Sequence, residues 1–204
     1  MTSNIHYSHR ELEGARLDLP KSAIYWLGPN VVFRNCTLVI SVRGRWLTLV
    51  SGRMVDCTIE AKRELDEARW TTMNLKGCRF KGRFSGNEFG YREEYLDEWK
   101  LGGIEDCDFS EAQLDLCRFH GCDMSTIQLP KWPNFTIPDP IRHGPELLSV
   151  KWPGDFTPVV LDGPLKEQPS TSALAFYAPA EAKRSGSTVE EFRAVVERFD
   201  FILR

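Results

Sequence analysis

Bulky apolar residues recur along this chain at two nested spacings, and neither belongs to a helix or to an ordinary half-buried strand. The segments RELEGARL from Arg10, VVFRNCTL from Val31, GRMVDCTI from Gly52, MNLKGCRF from Met73 and GGIEDCDF from Gly102 share one pattern. Their third positions are Leu12, Phe33, Met54, Leu75 and Ile104, and their eighth positions are Leu17, Leu38, Ile59, Phe80 and Phe109. Two residues before each eighth position stands a small one: Ala15, Cys36, Cys57, Cys78 or Cys107. Gly14, Asn35, Asp56, Gly77 and Asp106 come just before these, all of them residues that tolerate turns. The first four copies start 21 residues apart, whereas the last unit runs in fives through Ile104, Phe109, Leu114, Phe119, Met124 and Leu129. A coil of four short sides, about 20 residues per turn, generates both spacings and predicts an all-β solenoid with these columns facing one interior.

The pattern also predicts where the coil is broken. The unit from Met73 to Leu101 is longer than the others, and KGRFSGNEFGYREEYLDE, about residues 81–98, is expected to leave the solenoid as an inserted loop. Insertions in repeat arrays collect on one face, often the binding face. This one mixes Phe84, Phe89, Tyr91 and Tyr95 with Glu93, Glu94, Asp97 and Glu98, a combination suited to a protein interface. After Leu129 the prolines at 130, 133, 138, 140, 145, 153 and 158 argue against regular ladders. KWPNFTIP from Lys131 and KWPGDFTP from Lys151 place Trp132 and Trp152 to close the open solenoid end. Ser187 and Thr188 precede Glu190 and Glu191 at capping-box spacing, and Phe192, Val195, Val196, Phe199 and Ile202 follow at helical intervals. The domain reading is therefore a solenoid over 1–130, then a Pro-rich capping segment over 131–204 ending in a helix at about 188–203.

A small residue, a polar one, a Leu or Phe and two variable positions resemble the repeat of the pentapeptide-repeat family, over roughly Leu12 to Leu129. The resemblance implies a right-handed parallel β-helix of square section, with the small residue and the Leu or Phe both pointing inward. Residues beyond four fives per coil depart from the family pattern and require bulges. The resemblance also implies protein partners, since some members mimic duplex DNA and bind type II topoisomerases such as gyrase.

Composition narrows the function. A net charge of -3 excludes a generally basic nucleic-acid binder. The start lacks the apolar run of a signal peptide, and no stretch is apolar enough to cross a membrane, which predicts a cytoplasmic protein. The six cysteines occupy inward small slots, no pair is C-x-x-C, and His6, His9, His120 and His143 are scattered. Neither a metal site, a cofactor loop nor a catalytic set emerges, so the expectation is a non-enzyme. His120 is expected on the outer surface, solvated. From Gly86 to Leu129 there are eleven acidic and three basic residues, an acidic wall beside an acidic loop that attracts a basic partner.

The expected function is a bacterial immunity protein that neutralises a cognate toxin, with a DNA-mimicking, gyrase-binding protein as the alternative. The expected partner surface is Phe89, Tyr91, Glu93, Glu94, Tyr95, Asp97, Glu98, Glu105, Asp108 and Glu111. The amphipathic C-terminal helix must bury its apolar face against the Pro-rich segment, the solenoid end or a second copy of the chain, the last of which would make a homo-oligomer.

Overall fold

The 21-residue columns become rungs of a ladder. In the computed structural model, which describes residues 3–92, 101–154, 156 and 169–204, the chain winds into a parallel β-solenoid of about four turns. One wall stacks β2 (Arg10–Glu13), β5 (Val31–Arg34), β8 (Gly52–Val55), β10 (Met73–Lys76) and β13 (Gly103–Glu105) in that order. The next stacks β3 (Arg16–Leu19), β6 (Thr37–Ile40), β9 (Thr58–Asp66), β11 (Arg79–Ser85) and β14 (Asp108–Asp115). A third begins with β1 (Ser3–Tyr7), β4 (Ala23–Leu27) and β7 (Leu47–Leu49). Registers match the repeat residue for residue: Leu12 pairs with Phe33, Phe33 with Met54, Met54 with Leu75, and Leu75 with Ile104.

The corner between the first two walls explains the turn-tolerant column. Gly14, Asn35, Asp56, Gly77 and Asp106 all adopt left-handed backbone conformations, with φ between 50° and 65°, which Gly, Asn and Asp accept most readily. The following small residue turns inward. Cys36, Cys57, Cys78 and Cys107 are buried, and each of the first three thiols donates to two backbone carbonyls, one two residues back and one on the preceding coil. A thiol at this corner is thus a small hydrophobe that also satisfies backbone acceptors.

At the amino-terminal end Arg10 is in register with Val31, so a cation takes the first place in an inward column, its guanidinium 5.9 Å from the centre of the Tyr7 ring. A charge there discourages strand addition at the open edge. The other end is closed by the chain itself. β12 (Glu88–Gly90) and β15 (Cys117–His120) pair in parallel, β17 (Thr171–Tyr177) runs antiparallel to β15, and β16 (Asn134–Pro138) runs antiparallel to β17. The expectation that prolines exclude a ladder here is corrected: β16 is a sheet-edge strand with Pro138 at its last position, where the missing N–H is tolerated. β17 alternates strictly. Ala173 and Ala175 face the solenoid interior, while Leu174 and Phe176 face a second core with Phe135, Ile137, Leu147, Trp152, Phe156, Phe192, Val196 and Phe199. Trp152 therefore fills this second core rather than a solenoid level, its indole N–H donating to Leu147 O at 2.9 Å.

Three helices complete the described cap: α1 (Pro140–Leu148), α2 (Ala178–Ser185) and α3 (Val189–Val196). The predicted capping box is present, with Thr188 and Glu191 each bonding the other's backbone N–H. The helix stops at Val196, earlier than the expected 203, because the chain then turns so that Leu203 can bridge Thr136 through two backbone hydrogen bonds. Phe192, Val196, Phe199 and Ile202 are all buried within the chain. Of the three surfaces left open to it, the apolar face packs on the Pro-rich segment, in one core with Phe135, Trp152 and Phe156.

The solenoid and cap are tied by charge as well as by β17. Arg184 of α2 makes a two-pronged contact with Asp115 at the end of β14, 2.8 Å for each pair of atoms, and also grips Glu181. Both carboxylates are almost fully buried, and burial pushes the Glu181 carboxyl above the ordinary range.

Candidate partner-binding surface

The inserted loop begins later than the sequence suggests. Residues up to Gly90 belong to the solenoid, because β11 keeps Phe80 and Phe84 inward and β12 does the same for Phe89. The register between β11 and β9 shifts after Gly82, which pairs with Ala61 while Phe84 pairs with Leu65, so two extra residues are accommodated in β9. At Gly82 itself φ is 100° and a Cβ would lie 2.2 Å from Ala61 O, so only glycine fits. Phe89 was expected to anchor a partner and does not. Its ring is fully buried, stacked between Trp70 and Phe119 with centroids 6.1 and 5.3 Å away. Alternation along β12 sends it inward, because its neighbour Asn87 occupies the small slot and bonds the carbonyls of Leu65 and Ser85.

β12 ends at Gly90 and β13 begins at Gly103. Tyr91 is half-buried, its N–H donating to His120 O at 2.8 Å. Glu93, Glu94, Tyr95, Asp97 and Glu98 lie outside the described residues. At Gly102 a Cβ would meet Thr71 O at 2.0 Å and Gly90 O at 2.3 Å, so glycine lets the returning strand pass close to two earlier ones. Beside this junction lies a groove of about 520 Å³, lined by Tyr91, Glu105, Asn74, Cys122, Asp123 and Thr126 among others. Two residues expected at the partner surface, Tyr91 and Glu105, thus come together. Asn74, Cys122 and Asp123 were not foreseen, because only the coil register brings position 74 beside positions 103–105.

The acidic wall exists but is not bare. Glu105 is paired with Lys76 at 3.0 Å, Asp108 with Arg79 at 3.3 Å and Glu111 with Lys81 at 2.8 Å, each cation lying one coil earlier. Local counting of charge missed this, since the partners are 29 or 30 residues away in sequence. Exposed pairs of this kind contribute about 0–1 kcal/mol each, but they replace a continuous negative field with alternating rows.

His120 is a second correction. It is fully buried, with Nδ1 3.2 Å from Ser170 Oγ, because β17 covers the surface it was expected to share with solvent. His143 stacks on Phe201 at 3.7 Å and His6 on Trp26 at 5.7 Å, with no second histidine at either place. Burial drives the Cys117 thiol up to about 12 and the Cys122 thiol up to about 11, and hydrogen bonding to Cys107 carries Cys78 to about 12. Thiols held protonated in this way are poor nucleophiles. Among the described residues no helix is long and apolar enough to cross a membrane. No family model, no curated protein and no solved structure matches the chain.

Proposed function

We propose that the protein is a non-catalytic scaffold of the immunity type, which neutralises a cognate toxin by binding it where the chain leaves the solenoid. The observation that carries this reading is the groove at the junction, where Tyr91, Glu105 and Asp123 gather on a rigid stack of coils. An amphipathic ring beside carboxylates, set at the ends of β12 and β13 and at the turn after β15, is a preorganised partner site. The stacked-coil architecture and the inward small and bulky columns support kinship with the pentapeptide-repeat proteins. The rows of Lys76, Arg79 and Lys81 against Glu105, Asp108 and Glu111 favour a partner recognised at this junction over a DNA-like negative surface.

The test is co-expression of the full chain with the product of the adjacent reading frame. The expected result is rescue of growth and a stoichiometric complex, both lost in the variant Tyr91→Ala with Asp123→Lys. Absence of rescue and of a complex in the unaltered chain refutes the proposal.

A further inference from the structure

The amino-terminal half of the solenoid carries an aromatic surface that its own packing does not need. In β4, Ala23, Tyr25 and Leu27 point inward and are buried, which sends Ile24 and Trp26 outward. Trp26 is 37% exposed and lies flat against His6 of β1, the rings 5.7 Å apart and inclined by 13°. His6 and Trp26 are register partners, so the stack follows from the coil itself. Trp46 stands immediately before β7, whose Leu47 pairs with Tyr25, which brings it level with Ile24. The Arg45 guanidinium lies 6.0 Å from the centre of the Trp46 ring. An outward strand position is satisfied by any polar side chain, and here Trp26 and Ile24 occupy two of them, while Trp46 is half-buried and packs against the core.

The stretch of chain that carries β4 and β7 has charge of one sign. From Leu19 to Val55 there are five cations, Lys21, Arg34, Arg43, Arg45 and Arg53, and no carboxylate. Arg34 is engaged by Glu11, while Lys21, Arg43 and Arg45 are exposed and make no ion pair among the described residues. Asp66 of the next coil accepts a hydrogen bond from the Gly44 N–H at 2.9 Å.

We infer that the outer wall of β1, β4 and β7 is a recognition surface for an acidic peptide segment that carries an aromatic or aliphatic side chain. Its carboxylates meet Lys21, Arg43 and Arg45, and its apolar side chain packs on Trp26 and Ile24. Charge complementarity selects this occupant over a basic one. Ile24 and the few cations favour a peptide over a phosphate backbone, whose binding rests on many cationic contacts. The surface is separate from the Tyr91 groove and has the opposite charge preference, so it stands whether or not the toxin-binding reading does.

The full chain carrying 5-fluorotryptophan reports on the site by fluorine NMR, with the Trp26 resonance assigned from Trp26→Phe. The probe is a short amidated peptide of glutamates around a central phenylalanine. A saturable shift of the Trp26 resonance is expected, with affinity at least about tenfold weaker in Arg45→Glu, equivalent to about 1.4 kcal/mol. The lysine version of the peptide is expected to leave the resonance in place. The proposal is overturned if the glutamate peptide produces no saturable shift, if the lysine peptide shifts it equally, or if a short oligothymidylate binds the wall more tightly than the peptide does.

Discussion

Replacing Arg184 with methionine keeps an apolar stem and removes the cation that Asp115 and Glu181, both buried, share. Asp115 and Glu181 have side chains 9% and 5% exposed, while Arg184 itself is 42% exposed. Removing one partner of a fully buried ion pair costs about 3–5 kcal/mol, because the survivor is left charged and undersolvated. Solvent at the guanidinium screens part of the interaction here, which lowers the expectation to about 2–3 kcal/mol at pH 7. In a domain of this size that is a fall in Tm of about 4–12 °C. The sign of the pH dependence follows from Glu181. Burial raises its folded pKa above the unfolded value, so protonation favours the folded state below the unfolded value, and that contribution is lost as pH rises through the folded pKa. Without Arg184 the folded pKa rises further. The gap between the variant and the unaltered protein should therefore narrow on going from pH 7 to pH 5, as the orphaned carboxyl takes up a proton.

Urea unfolding followed by tryptophan fluorescence at both pH values measures this gap. Glu181→Gln placed on top of Arg184→Met should recover part of the loss at pH 7 and abolish its pH dependence. A gap below about 0.5 kcal/mol, or one that widens toward pH 5, would show that the triad does not join the cap to the solenoid in the way the geometry requires.

Three further outcomes follow from the interior. Phe89→Ala should cost about 3–5 kcal/mol by emptying the space between Trp70 and Phe119, with a correspondingly lower midpoint in thermal unfolding followed by circular dichroism. In the folded protein at pH 8 a thiol reagent should label Cys122, the half-buried cysteine, slowly and leave Cys36, Cys57, Cys78, Cys107 and Cys117 intact, whereas all six react in guanidinium; mass spectrometry counts the adducts. Gly14→Ala, with φ 61° and no atom within 4 Å of the added carbon, should cost about 1 kcal/mol, while Gly82→Ala, aimed at Ala61 O, should cost distinctly more in the same denaturant titration.

The solenoid was legible because its signals are periodic and its coils repeat them. Cys36, Cys57 and Cys78 share a spacing, a preceding turn residue and a following apolar residue, and each feature has one physical cause in the corner geometry. The start of the insertion was not legible. Length alone placed it at residue 81, but β11 and β12 keep the chain in the coil as far as Gly90, because Phe84 and Phe89 continue the inward column. The cap was legible as a stop in the repeat but not as an antiparallel pair. β16 and β17 are more than 30 residues apart and carry no shared pattern, so only the need to cover β15 brings them together.

Charge shows why local counting misleads in a solenoid. A residue's nearest outward neighbours belong to the coils above and below, about a full turn away in sequence, so net charge over a linear window measures rows that face their neutralising partners. The coil bearing Lys76, Arg79 and Lys81 is basic, the next bearing Glu105, Asp108 and Glu111 is acidic, and together they form a screened surface. The same reasoning sharpens the amino-terminal wall. Glu11 of the first coil reaches Arg34, but Lys21, Arg43 and Arg45 stand at the approach to β4 and β7, where neither adjacent coil supplies an ion-pair partner among the described residues. A cation left unmatched by this layering, beside an indole left outside the core, is what distinguishes a surface kept for another molecule from one that only has to stay wet.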